Sequence, residues 1–218
     1  MQKRIISRFI EGETMKDKKL YKIAGLSYIG IFFAAMFGNF FVLDSLKNDP
    51  IDMVVNNMTL VSWGAIAFLV AAVLDTIVAW VLKDLYAKHP LTTPSTYFRL
   101  IHAALMGMAV YAIVTMRGLT GEESILSQIE IFDTIWLIGL FFFGVHLLML
   151  SNILRGVVPK WITYALLAAG VMYMIDTTAH FVMSNYDSYA DTFLALVAIP
   201  SILGEMALSV WLLLKSRK

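Results

Sequence analysis

Three carboxylates, three imidazoles and one carboxamide interrupt otherwise apolar runs: Asp75, Asp176, Glu205, His102, His146, His180 and Asn39. Such groups can do a small set of jobs. A carboxylate that loses and regains a proton can carry a proton or a cation. An imidazole can relay protons or ligate a metal, and two imidazoles on facing helices can hold haem. In hydrocarbon each charge costs several kcal/mol, so each needs a partner, a cavity or a task.

Spacing groups these residues. Tyr173, Asp176 and His180 stand at i, i+3 and i+7, on one helical stripe with Thr177 beside it. The acid and the imidazole can neutralise each other there. A ligand from a second helix would turn the pair into a metal site or a proton relay. Ser201, Glu205 and Ser209 form a second stripe at i, i+4 and i+8, with Pro200 expected to kink the helix just before Glu205. The candidate ligand-binding or proton-handling residues are therefore Asp75, His146, Asp176, Glu205, Asn39 and Tyr173. The candidate metal ligands are His102, His146, His180 and Asp176. For Asp75 and His102, snorkelling or pairing with Arg99 or Lys83 is the plainer expectation.

The elements that must position these residues are membrane helices. The chain has 218 residues, 59% hydrophobic and 15% charged, with a mean hydropathy of +0.74, which is far more apolar than a soluble domain. Six stretches are long enough to cross a bilayer, at about 1.5 Å per residue. They run approximately over 23–43, 60–82, 100–114, 135–154, 161–183 and 193–214, with short connections. The expected fold is an all-α bundle of six transmembrane helices. Residues 1–19 are expected to form a basic interfacial segment and 20–218 one transmembrane domain.

Charge sets the orientation. Of the seventeen basic residues, all but Lys47 and Arg117 fall at the termini and alternate loops of one side, counting Arg99 with the loop before the third span. By the positive-inside rule both termini are cytoplasmic. Trp63 and Trp136 fall near outer helix ends and Trp80, Trp161 and Trp211 near inner ones, as interfacial anchors would. Counting along the spans places Asp75 and His102 in the inner third, His146 and Glu205 just inward of the middle, and Asn39, Asp176 and His180 in the outer third. Two polar clusters are predicted, one near each surface. The parallel between "IGIFF" (29–33) and "IGLFF" (138–142), and the Asp-Thr pairs at 75–76 and 176–177, suggest a three-plus-three inverted repeat.

Several classes are excluded. With no cysteine there are no disulfides, thiolate metal sites or cysteine nucleophiles. No serine, acid and histidine spacing and no glycine-rich phosphate loop is present, so the balance is against an enzyme. Nucleic-acid binding has no support, because the basic residues lie along one membrane surface.

The segments "LDTIVAWVLKDLY" (74–86), "YFRLIHAAL" (97–105), "FFGVHLLMLSNILRGVVPKWITYALLAAGVMYMID" (142–176) and "GEMALSVWLLLK" (204–215) resemble, in this order, the bacterial membrane family known as domain of unknown function 4386, over most of the chain from about residue 20. The resemblance implies a multi-span helical protein. It carries over Asp75, Arg99, His146, Asp176 and Glu205 as matching the family's pattern, whereas His102 departs from it and His180 is not carried over.

Three functions compete. One is a small-solute or cation carrier, proton-coupled, with an intramembrane acid and histidine cavity. Another is a haem- or divalent-metal-binding redox subunit, or a metal-dependent hydrolase. The last is a non-catalytic partner or lipid-binding subunit. The expected location is the bacterial cytoplasmic membrane, with the lipid bilayer as partner and a homo-oligomer compatible with the sequence.

Overall fold

A computed structural model of the chain describes residues 14–217. Among them there is no β-sheet, and the helices are α1 (Met15–Met36), α2 (Asp44–Asn48), α3 (Pro50–Val55), α4 (Met58–Leu85), α5 (Thr92–Thr115), α6 (Glu122–Ile153), α7 (Lys160–Val182) and α8 (Ala190–Lys215). A π-helical stretch, Phe37–Leu43, joins α1 to α2, and a 3₁₀ turn, Tyr186–Tyr189, precedes α8. Six spans are long and apolar enough to cross a membrane. The chain is built as a multi-pass membrane protein.

Local chemistry sets the helix starts. Thr14 and Asp17 form a reciprocal capping box, the Asp17 amide donating to Thr14 Oγ1 and the Thr14 amide to Asp17 Oδ2, so α1 begins at Met15. Residues 15–19, expected to belong to the interfacial segment, are thus the first residues of the helix that carries the first span. The rest of that expectation, residues 1–13, lies outside the described residues. Asp49 caps α3 and Pro50 opens it. Pro94 sits in the first turn of α5, where a missing backbone donor costs nothing.

The six spans form a closed ring in chain order, with α1 packed against both α4 and α8 and each other span against its sequence neighbours. Neighbours run antiparallel, as paired contacts at successive depths show: Lys16 with Asp84 and Gly30 with Leu74 for α1 and α4, Ser95 with His146 and Thr115 with Gln128 for α5 and α6. One apolar layer, including Tyr21, Val81, Leu150, Ile162 and Leu212, fills the ring at the end where α1 begins and α8 ends. Another, including Val42, Phe68, Ile113, Ile125 and Phe132, fills the opposite end. The buried charges Asp75 and Arg99 lie between these layers.

The third and fourth spans are longer than the apolar windows suggested. Arg99, counted with a loop, stands two turns inside α5 and is completely buried. The apolar window stopped at its charge, but the helix continues because the charge has partners in the ring. Two of the tryptophans are half-buried against other rings. Trp136 packs on Phe68 and Phe132 at 5.2 and 5.5 Å, and Trp211 on Tyr21 at 6.1 Å. Trp63, Trp80 and Trp161 are exposed on the outer surface of the ring.

Candidate functional site

Arg99 is the hub. Its Nη1 donates to Tyr28 Oη on α1 at 2.9 Å and to His146 Nε2 on α6 at 3.2 Å, while Nη2 donates to Asp75 Oδ1 on α4. The guanidinium also lies over the rings of Tyr28 and Phe143, 4.9 and 5.3 Å from their centroids. Four spans therefore meet on one arginine. Removing a charge from water costs several kcal/mol, so Arg99 is tolerable here only because Asp75 neutralises it and neutral acceptors take further N–H groups. Its Nε has no hydrogen-bond partner among the described residues.

The contacts fix the tautomer of His146. Arg99 can only donate, so Nε2 must accept, and the ring proton sits on Nδ1. From there it faces Ser95, whose backbone oxygen is 3.0 Å away and whose Oγ is 2.9 Å away. His146 is thus a neutral bridge between the arginine and α5. Beyond it is a small cavity of about 10 Å³, lined by Tyr86, Thr92, Ser95, Thr96 and His146 among others. That is room for about one water. The cavity lies on the side of His146 toward the α4–α5 loop.

His102, one turn beyond Arg99, places Nε2 3.6 Å from Asp75 Oδ2, so the carboxylate faces a guanidinium on one oxygen and an imidazole on the other. The expected pairing of Asp75 with Arg99 is present.

Glu205 belongs to the next layer. Ser201 Oγ donates to Glu205 Oε1 at 3.0 Å, and Tyr173 Oη is 2.8 Å from Ser201 Oγ. Each hydroxyl has one hydrogen. Ser201 spends its own on Glu205, so Tyr173 donates to Ser201, and the chain of donors runs from α7 through α8 to the carboxylate. The Tyr173 ring lies 5.6 Å from that of Phe143, which ties this layer to the Arg99 hub. Glu205 is within electrostatic reach of Arg99 but has no ion-pair partner among the described residues.

The predicted outer cluster does not assemble. Asn39 donates back to Ala35 O in its own helix, at 2.9 Å. Asp176 and His180, expected to neutralise each other, form no ion pair. Tyr186, from the turn before α8, donates to Asp176 Oδ1 at 2.7 Å and sets its ring against His180 at 4.6 Å. A partner from the next element outcompetes the residue one turn away. Tyr173, on the same stripe, faces Ser201 instead. His180 is exposed.

The four candidate metal ligands, His102, His146, His180 and Asp176, are not brought together among the described residues. Both nitrogens of His146 have protein partners, and Phe143 lies against the rings of both His102 and His146, at 4.6 and 5.6 Å. Among the described residues no three histidine or acidic side chains converge to hold a metal ion. Asp176 is bonded to Tyr186 and His180 is packed on the same ring, and among the described residues neither has a hydrogen bond, ion pair or ring contact with His102 or His146.

Sequence reasoning missed Tyr28, Ser95 and Phe143. The one available signal for Tyr28 was its place on a stripe of small residues, Ala24, Gly25 and Ser27, that lets α1 approach its neighbours.

The family described as Domain of unknown function (DUF4386) matches residues 23–216. The chain belongs to this family. It is also 29% identical over 123 residues to a protein of Archaeoglobus fulgidus described as "Uncharacterized protein", a match covering 56% of this chain and 62% of the relative. The chain thus spans less than two thirds of that relative's length. No solved structure matches. The family match covers all six polar-bearing spans from Ile23 onward and includes Tyr28, Asp75, Arg99, His146, Tyr173 and Glu205.

Proposed function

We propose that this DUF4386 protein is a proton-coupled carrier of the bacterial cytoplasmic membrane that moves a small solute or cation. Arg99, Asp75 and His146 act as its charge-balancing centre and Glu205 as the group that takes up and releases the proton. The observation that carries this reading is convergence. Tyr28, Asp75, Arg99, His146, Tyr173 and Glu205 come from all six spans and form two adjoining layers inside the ring, each held by hydrogen bonds and joined by the Tyr173–Phe143 ring contact. A bundle that needed only cohesion could place polar bridges at many depths, whereas a transport site must gather them where opposite sides can reach them in turn.

Each group has a stated task. Glu205 lacks a cation at contact distance, so it can exchange a proton without first breaking a salt bridge, and Tyr173 and Ser201 form a hydroxyl relay to it. Asp75 keeps Arg99 neutralised while Glu205 changes charge. The orphan Arg99 Nε offers a ready donor to Glu205 or to an anionic cargo when the ring rearranges. The water-sized space beside His146 has room for about one water on the side of the end where the basic residues gather, the cytoplasmic side under the positive-inside rule. A cargo larger than a proton requires the ring to open, as alternating access demands.

A second reading, a non-catalytic subunit, is favoured by one observation. Arg99 is fully enclosed and tied to three other spans, as a structural rivet would be. Proton flux separates the two. Purified protein in liposomes loaded with a pH-sensitive dye, driven by a potassium-diffusion potential, should acidify the lumen faster than empty liposomes. Glu205→Gln should reduce the rate by about 10²–10⁴-fold, the usual scale for losing an acid–base group. Flux that survives both Glu205→Gln and Asp75→Asn would end the carrier reading, provided both variants run as folded species by gel filtration.

A further inference from the structure

A second recess lies at the end of the ring opposite the termini. Met58, Thr59, Ser62, Trp63 and Ile66, from the first turns of α4, and Arg117, just past α5, line an open groove of about 300 Å³. That volume is at the lower limit of ordinary ligand pockets.

Among the described residues the charge in this groove has no counter-ion. Two cations stand at this end of the ring, in a region rich in acids. Lys47 is tied to Asp133 at 2.8 Å. Arg117 has no carboxylate within ion-pair distance among the described residues, and its Nη2 donates instead to Ser62 Oγ at 3.3 Å. Ser62 gives its own hydrogen to Met58 O at 2.8 Å, so it acts toward Arg117 only as an acceptor and neutralises nothing. The guanidinium keeps most of its donors free at the mouth of the groove.

An apolar track leads from it. Trp63, Ile66, Val70 and Val73, at i, i+3, i+7 and i+10, are 61%, 47%, 45% and 60% exposed and form one stripe down α4 toward the middle of the bilayer. An anion-binding head joined to a membrane-facing track, with an indole at the junction, matches an amphiphile with a charged head and an acyl tail.

We propose that this groove binds one anionic phospholipid, its phosphate held by Arg117 with the exposed hydroxyl of Thr59 beside it, and one acyl chain lying along Trp63, Ile66, Val70 and Val73. A planar guanidinium meets a phosphate through paired N–H donors, which a lysine could not reproduce. The site is independent of the proton-handling centre, which occupies a different layer of the ring.

Native mass spectrometry of the full chain in detergent, with phosphatidylglycerol added, tests this directly. The wild type should retain one lipid per chain. Arg117→Gln should weaken retention on the order of tenfold, while Lys83→Gln, which removes an exposed cation at the other end, should leave it unchanged. Ile66→Trp, which fills the groove and keeps the charge, should weaken it as well and serves as the readout if Arg117→Gln does not fold. Retention unchanged in Arg117→Gln or in Ile66→Trp would overturn the proposal. So would an equal loss in Lys83→Gln, which would mean charge alone is read, or displacement of the lipid by glycerol 3-phosphate at the same molar ratio, which would mean a site for a free phosphate.

Discussion

At the scale of single residues, the Arg99 hub behaves as one unit. Losing either member of a buried pair strands the other charge, at a cost of about 3–5 kcal/mol, while removing both charges together can be nearly neutral. Arg99→Gln and Asp75→Asn should therefore each lower the midpoint of thermal unfolding in detergent sharply, and the double variant should recover much of the loss. A double variant as unstable as the sum of the singles would mean the two do not act on each other. Part of this was readable in advance. An acid and an arginine in adjacent spans at similar depth predict a pair, because neither is tolerable alone in hydrocarbon. Tyr28 and Ser95 carried no such warning, since a tyrosine or serine in an apolar helix costs little and is usually packing. The Asp176 and His180 stack was over-read for the converse reason. Spacing along one helix says which residues can meet, but Tyr186 arrives from the next element and takes the carboxylate.

At the scale of elements, the α6–α7 crossing depends on two glycines. A Cβ on Gly144 would stand 2.7 Å from Gly170 O, and one on Gly170 would stand 2.8 Å from Gly144 O, so each backbone occupies the other's side-chain space. Small residues are the usual means of close approach where lipid supplies no hydrophobic drive. Gly144→Leu should force the helices apart and displace Tyr173 and Phe143 from their contact, destabilising the fold by about 1–3 kcal/mol or more. Gly107 gives the control, because a Cβ there meets nothing within 4 Å. Gly107→Ala should raise stability by up to about 1 kcal/mol through helix propensity alone. Thermal unfolding of the two variants should move in opposite directions, and a shared direction would refute the packing argument. The helices themselves were legible as apolar windows, but their ends were not. Windows close at the first charge, as at Arg99, whereas the structure starts helices at caps and prolines, as at Thr14 and Pro94. The π-helical stretch at Phe37–Leu43 has no comparable signature, because its apolar residues suit either helix type.

At the scale of the whole molecule, closing six antiparallel spans in chain order brings α8 back to α1, so that Gly25 packs beneath Leu213 and Ser209 bonds Gly25 O at 2.8 Å. Ring closure turns side chains far apart in sequence into one layer, and composition alone could not show it. An inverted repeat would relate Asp75 to Asp176, yet their partners differ in kind: an arginine for one and a tyrosine hydroxyl for the other. The ring also makes orientation testable in a single experiment. The chain has no cysteine, so one can be placed at will. Lys88, in the α4–α5 loop, and Glu123, in the first turn of α6, are both exposed and belong to opposite ends of the ring. If the basic end faces the cytoplasm, a membrane-impermeant thiol reagent added to intact cells should label Glu123→Cys, and should label Lys88→Cys only after the membrane is opened. The reverse pattern would invert the whole reading, since the water-sized cavity at His146 would then lie toward the exterior and the lipid groove at Arg117 would take its phosphate from the cytoplasmic leaflet.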